Sequence, residues 1–285
     1  MKRIAAIIMT ALFTAVGIAP ALADDQEQQI GQQVYQQLEQ KGEIIQRPNA
    51  MYAILDPIAA RIKSVADTQY DYTFHFILVH EKAPNAFAVP GGNVYVTDSL
   101  INFVQNKEEL AGVLCHETSH DIHHDVLNNM QKSQTTGTII GIVGAITGLN
   151  RSGLGQLGEN LAYTLQTSNF SRAVERNADA KGAVTCAQAG YNPWGMVWLF
   201  QNFEKANTGG SMEALSDHPT DEHRIADLKT EFAASPRLFG RFSSDIATAT
   251  PVRSSATGYA PAPAARHAVH RRSAYHAVGY CCAPH

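Results

Sequence analysis

The chain has 285 residues, 45% of them hydrophobic, which is enough to bury one sizeable core or two small domains. Its formal net charge of −4 argues against a dedicated nucleic-acid-binding protein. The four cysteines lie at positions 115, 186, 281 and 282, and this spacing indicates no disulfide framework. We interpret Cys115 as a small core residue and leave the pairing of the cysteines open.

Residues 1–23 have the features of a secretory signal peptide. A basic start precedes a largely apolar run, Ile4 to Ile18, and Ala21-Leu22-Ala23 fits the small-x-small cleavage rule. The alternative is a membrane anchor, but the run is short for a span and no basic flank follows it. We therefore expect a mature protein that begins at Asp24 and is periplasmic or secreted.

The first half of the mature chain is predicted to form two helices and then a strand. Apolar residues recur at four-residue spacing in 24–41, and a second apolar stripe follows Pro48. Residues 72–80 alternate in the manner of a strand and are rich in β-forming residues.

Residues 85–97 are predicted to form a strand, a tight turn at Gly91-Gly92 and a second strand. Pro90 cannot donate to a ladder, so its strand should lie at an edge of the sheet. Edge strands can align extended peptides. An ordinary hairpin with no such role is the alternative. The candidate substrate-binding residues of this strand are Asn85, Ala86, Phe87, Ala88, Val89 and Pro90.

The clearest chemical motif is His-Glu-x-x-His at residues 116–120. Residues four apart share one face of a helix, so His116 and His120 can bind one Zn²⁺, with Glu117 beside it to accept a proton from water. Asn106 and Glu109 predict a capping box at the start of this helix, which should run to about Gln131.

A second chemical stretch lies at residues 171–179, in a segment of helical character. Glu175 and Asp179 are four residues apart, so they share a helix face. A zinc held by two histidines needs one more protein ligand, and Glu175 can supply it while Asp179 accepts from a ligand histidine. The alternative is a solvated face that pairs with Arg172 and Arg176.

Three further segments complete the chain. Residues 135–149 are apolar and uncharged, and could be a buried helix, a membrane-touching hairpin or a flap over the site. Helices are predicted from about Trp194 to Lys205 and around Ile225 to Phe232. Residues 246–285 contain no acidic residue, and we interpret them as a basic, mostly disordered tail.

Together these motifs resemble a known family. His-Glu-x-x-His, the Asn-Ala-Phe-Ala-x-Pro-Gly-Gly hairpin, Ser-Arg-x-x-Glu-x-x-Ala-Asp and a His-Pro pair with a downstream arginine resemble the gluzincin metallopeptidases typified by the CAAX prenyl endopeptidase and HtpX. The resemblance covers about residues 48–232 and is to the soluble, exported bacterial branch. It implies an α+β fold: a mainly helical zincin-type domain at 24–245, with a small antiparallel sheet whose edge strand lines the cleft.

The resemblance also implies roles for single residues. His116, His120 and Glu175 would bind one zinc ion, and Glu117 would be the general base. Asp179 would orient a ligand histidine. His218 would lie near the open face of the metal, supported by Arg224. The family often has a histidine nine residues after the first ligand, where this chain has Asp125.

The expected activity is a zinc metalloendopeptidase that acts on polypeptides, with His218 available to bond the tetrahedral oxyanion. Because His218 follows a Gly-rich loop, it could instead occupy the metal and keep the enzyme latent. The alternative is a function that is not enzymatic: an envelope chaperone or assembly factor with a mainly structural zinc site. In that case residues 135–149 and the tail would contact partners or the membrane.

Overall fold

The computed structural model describes residues 19–132, 170–207 and 222–253. The first part contains α1 (Ala19–Gln40), α2 (Tyr52–Ala66), β1 (His75–Val79), β2 (Ala86–Val89), β3 (Asn93–Thr97), α3 (Asp98–Phe103), α4 (Lys107–Ile122) and α5 (Asp125–Lys132). The later parts contain α6 (Arg172–Gln188), α7 (Trp194–Asn207), α8 (Glu222–Ala234), α9 (Pro236–Phe239) and a 3₁₀ turn at Ile246–Thr248. The predicted α+β, mainly helical class is confirmed.

The sheet has three strands in the order β1-β3-β2, so β2 lies at an edge as predicted. β2 and β3 form the expected antiparallel hairpin, and Gly91 and Gly92 in its turn have φ of +94° and +90°. The expectation of a wholly antiparallel sheet is wrong, because β1 runs parallel to β3. The direction of this pairing depends on which strand of the hairpin lies beside β1, and the local sequence pattern of β1 does not encode that choice.

Helix α4 lies at the centre of the domain, against α6, α7, α2 and β2. The predicted N-cap forms, because Asn106 Oδ1 accepts from Glu109 N at 2.8 Å. The Glu109 carboxylate reaches back to the start of the helix, where it accepts from Gln105 N at 2.7 Å and from Asn106 Nδ2 at 2.8 Å. From Glu108 to Asp121 every residue is buried, although several are polar. A buried polar face needs partners for each group, so it indicates a site rather than ordinary core.

The predicted continuation of this helix to about Gln131 is wrong. Helix α4 ends at Ile122, and His124 adopts the left-handed conformation with φ of 54° before α5 begins at Asp125. In one straight helix Asp125 would lie about 140° around the axis from His120. The break instead returns Asp125 to the side of His120.

Helices α4 and α6 pack at very close range. A Cβ on Gly182 of α6 would lie 2.9 Å from the Cys115 carbonyl oxygen and 3.0 Å from His116 N. Cys115 and Cys186 form a disulfide between the same two helices, with Cα atoms 5.8 Å apart. Our interpretation of Cys115 as a simple core residue is therefore corrected: it is fully buried, and it is also cross-linked.

The ordered structure also extends past the predicted boundary at residue 245. Thr250 N donates to Glu108 Oε2 at 2.8 Å, Lys107 N donates to the Thr250 carbonyl, and Val252 is buried in the core. The start of the predicted tail thus packs on the N-terminus of α4. The remainder of the tail, residues 254–285, lies outside the described residues. Among the residues described, no helix is both long and apolar enough to span a membrane.

Candidate active site

The structure brings together the three side chains proposed to bind metal. The two Nε2 atoms of His116 and His120 are 3.1 Å apart, and they lie 3.5 and 3.7 Å from the Glu175 carboxylate oxygens. All three residues are buried, and one ligand atom from each lies within 4.8 Å of the other two. Within the described part of the chain, these three form the group of His, Cys, Asp or Glu side chains that lie close enough together to hold one metal ion.

The spacing fits a tetrahedral zinc ion. With Zn–N and Zn–O distances of about 2.0–2.1 Å, two ligand atoms of a tetrahedron lie roughly 3.3 Å apart. The N···N separation of 3.1 Å and the N···O separations of 3.5 and 3.7 Å, each to a different oxygen of Glu175, fall around that value. Two imidazoles and one carboxylate also leave one position open for water, as in catalytic zinc sites.

Each candidate ligand histidine has a carboxylate at its other ring nitrogen. His116 Nδ1 lies 3.0 Å from Asp179 Oδ1, the position predicted for Asp179, and His120 Nδ1 lies 3.0 Å from Asp125 Oδ2. Such partners fix the tautomer and ring orientation of a metal ligand. Sequence reasoning noted Asp125 only as a departure from the family, because its position depends on the break after α4.

Arg224 connects the acidic groups of the site. Its Nε and Nη2 donate to the two Asp179 oxygens at 2.8 and 2.7 Å, and Nη1 lies 3.0 Å from Glu175 Oε2. Burial alone would raise the pKa of Asp179, but Arg224 and His116 hold that pKa below its usual range. Burial opposes the charged form of His116, yet Asp179 and Glu175 outweigh it and raise its pKa. The pocket therefore favours a positive charge at the His116 imidazole.

Glu117, the candidate general base, contacts the edge strand. Ala88 N donates to Glu117 Oε2 at 3.0 Å, and Ala86 N donates to Asn85 Oδ1 at 2.9 Å. Since Asn85 and Phe87 form the hydrogen-bonded pairs with β3, the backbone groups of Ala86 and Ala88 point away from it. The edge strand thus lies beside α4, and its two outward N–H groups are used within the protein.

The rest of the predicted edge segment is also placed. Phe87 and Val89 pack into an apolar cluster with α1. Pro90 follows the strand and lies close to that helix, since a Cβ on Gly31 would lie 2.7 Å from the Pro90 carbonyl oxygen. His218 and residues 135–149 lie outside the described residues. A narrow apolar cavity opens beside His116 and Glu117, and its other lining residues are Gly112, Val113, Met196, Leu199, Phe200 and Arg224.

A second buried acid follows the motif on α4. Asp121 is 2% exposed and lies near Glu27 and Glu117, and burial together with these charges raises its pKa well above the usual value. Glu27 in turn accepts from the Tyr70 hydroxyl and pairs with His124, each at 2.5 Å. This network joins α1 to the break after α4, and no sequence motif marked it.

Comparison with known proteins agrees with this geometry. The family model of peptidase family M48 matches residues 49–232. The chain belongs to peptidase family M48. The family proposed from the four motifs is therefore confirmed, and it is a family of metallopeptidases that act on polypeptides.

The individual relatives of this M48 chain are proteases. It is 28% identical over 254 residues to the beta-barrel assembly-enhancing protease of Escherichia coli K12, covering 80% of this chain and 52% of that protein. It is 26% identical over 223 residues to metalloprotease LoiP of the same strain, covering 76% and 84%. It is 26% identical over 184 residues to the mitochondrial metalloendopeptidase OMA1 of Schizosaccharomyces pombe, covering 64% and 52%. The chain thus spans about half the length of several relatives that it matches.

Proposed function

We propose that the chain is a zinc-dependent endopeptidase of the cell envelope that hydrolyses misfolded or envelope proteins. The observation that carries this proposal is the buried convergence of His116, His120 and Glu175, with Glu117 next to the first histidine on α4. Membership of family M48 and the endopeptidase relatives support it. The names of the beta-barrel assembly-enhancing proteases support envelope proteins as substrates.

In this mechanism His116, His120 and Glu175 would hold the metal, while Asp179 and Asp125 orient the two imidazoles. The chemistry supplied by zinc there would be polarisation of the peptide carbonyl and a water whose pKa falls to about 7. Glu117 accepts the proton of the attacking water and passes it to the leaving amine. Its bond from Ala88 N holds one carboxylate oxygen and so sets the direction of the other.

The edge strand suggests how substrate is aligned. The outward N–H groups of Ala86 and Ala88 are already bonded within the protein, so we propose that the carbonyls of these residues accept hydrogen bonds from substrate N–H groups. An extended peptide paired in this way would lie along β2 beside Glu117. For His218, which lies outside the described residues, we propose the role implied by the resemblance, either as an oxyanion donor or as a latent fourth ligand.

The envelope location rests on the signal-like residues 1–23. It is supported independently by the Cys115–Cys186 disulfide, since disulfides persist mainly in oxidising compartments. We therefore propose that the mature chain is located in the periplasm or outside the cell.

The test uses mature protein from Asp24 and its Glu117→Gln variant, with metal analysis and casein cleavage, with and without a chelator. We expect about one zinc per chain in both proteins, and cleavage only by the parent without chelator. Cleavage by Glu117→Gln at the parent rate would contradict the assigned base. If the chain were instead an envelope chaperone, the Glu117→Gln variant would keep the cellular phenotype of the parent, and that result would favour the chaperone over the protease.

A further inference from the structure

We propose that Phe170 is a positioning residue of the metal centre, which holds the His120 imidazole in the orientation needed for metal binding. The two rings stack with centroids 4.4 Å apart and planes 12° from parallel. The inference rests on the metal site of the proposed function and adds to it a residue outside the motifs. Phe170 acts through His120 and touches no substrate.

The contacts around His120 show what the stack contributes. The Asp125 carboxylate bonds Nδ1 at 3.0 Å, and the His116 ring meets the imidazole edge-on, with planes at 90°. A bond at Nδ1 fixes one point of the ring but still allows the ring to tilt about that point. Flat contact with Phe170 restricts this tilt, so Nε2 stays directed toward His116 and Glu175.

The two ligand histidines are oriented by different means. The carboxylate behind His116 belongs to Asp179, which receives two hydrogen bonds from buried Arg224. The carboxylate behind His120 belongs to Asp125, whose side chain is 11% exposed and follows the break after α4. The stack with Phe170 therefore restrains His120, the ligand whose carboxylate partner is the more exposed of the two.

The place of Phe170 in the chain connects two of the three ligands, His120 and Glu175. It directly precedes Ser171, the N-cap of α6, and lies five residues before Glu175. Its ring also packs against an apolar cluster from α1, the sheet and α5, which includes Val89, Tyr95 and Val126. Anchored there, Phe170 fixes the first turn of α6 against the end of α4, and hence Glu175 against His120.

The test measures metal binding directly, on the mature full-length protein. Zinc dissociation constants are obtained by competition with a chelating indicator, and the coordination sphere is followed by the visible spectrum of the Co²⁺-loaded protein. We expect Phe170→Leu to weaken zinc binding roughly tenfold, the range typical of residues that orient metal ligands, and to change the Co²⁺ spectrum. Phe170→Tyr keeps the ring and should restore both.

Phe103→Leu is the matched control, because Phe103 stacks on Phe203 with centroids 4.6 Å apart and planes 8° from parallel, and is also partly buried. We expect it to lower thermal stability while leaving zinc affinity within about twofold of the parent. Phe170→Met, which lacks a ring plane, replaces the leucine variant if that protein does not fold.

Parent affinity in Phe170→Leu or Phe170→Met would overturn the inference, as would an equal loss in Phe103→Leu. A parent protein that binds no stoichiometric zinc would overturn the metal site itself, and so the proposed function as well. Failure of the positioning role and failure of the site are thus distinguished by the parent measurement alone.

Discussion

Replacing Cys115 and Cys186 together by alanine removes the disulfide that joins α4 to α6. The bond closes a loop with a sequence separation of 71 residues. Loop-closure entropy for that length predicts a loss of about 4.4 kcal/mol in the free energy of unfolding at 25 °C.

The assay is urea unfolding at equilibrium, in a Cys281→Ser/Cys282→Ser background that leaves only the buried pair. With a urea dependence of roughly 3 kcal/mol/M, the midpoint should fall by about 1.5 M. Thiol titration of the unfolded background protein should detect no thiol before reduction and two after it. Reductant should bring the background protein to the midpoint of the alanine variant.

Two results would refute this reasoning. Equal midpoints for the background protein and the double alanine variant would show that the cross-link carries no stability. Two reactive thiols before reduction would show that the bond does not form, and would also remove the independent support for an oxidising compartment.

Further predictions concern the surroundings of the metal site. Asp125→Asn should weaken zinc binding by roughly 10- to 100-fold, because it alters the partner of His120 Nδ1. Asp98→Asn, which alters the partner of the exposed His80, should leave zinc binding unchanged. Competition with a chelating indicator measures both affinities, and equal values would contradict the orienting role of Asp125. Gly182→Ala should destabilise the protein by about 1–3 kcal/mol, because its Cβ would meet the Cys115 carbonyl at 2.9 Å. Thermal unfolding checks this, and an unchanged midpoint would mean that α4 and α6 are not in close contact.

Much of the site could be predicted because its residues lie at helical spacing. His116 and His120 are four apart, as are Glu175 and Asp179, and such pairs share a helix face wherever the helix goes. The N-cap at Asn106 is equally local. Joining the two helices into one site rested on the need of a zinc ion for a third protein ligand, and on the resemblance, because local sequence does not encode which helices pack together.

The features that sequence reasoning missed depend on tertiary contacts. Cys115 and Cys186 are 71 residues apart, and only the crossing of α4 and α6 brings them together. Asp125 reaches His120 only because the chain turns at His124. Phe170 lies outside every motif, and an isolated aromatic residue before a helix is not distinguishable in sequence from ordinary core.

X-ray absorption at the zinc edge tests the central claim most directly, by measuring the ligands of the bound metal in the parent and in Glu175→Gln. We predict one zinc per mature chain with two imidazole nitrogens and oxygen ligands from a carboxylate and water, and weaker binding with altered coordination in the variant. Glu204→Gln, on α7, serves as the matched control and should resemble the parent. A parent without stoichiometric zinc, or a Glu175→Gln protein with unchanged affinity and spectrum, would contradict a metal held between α4 and α6.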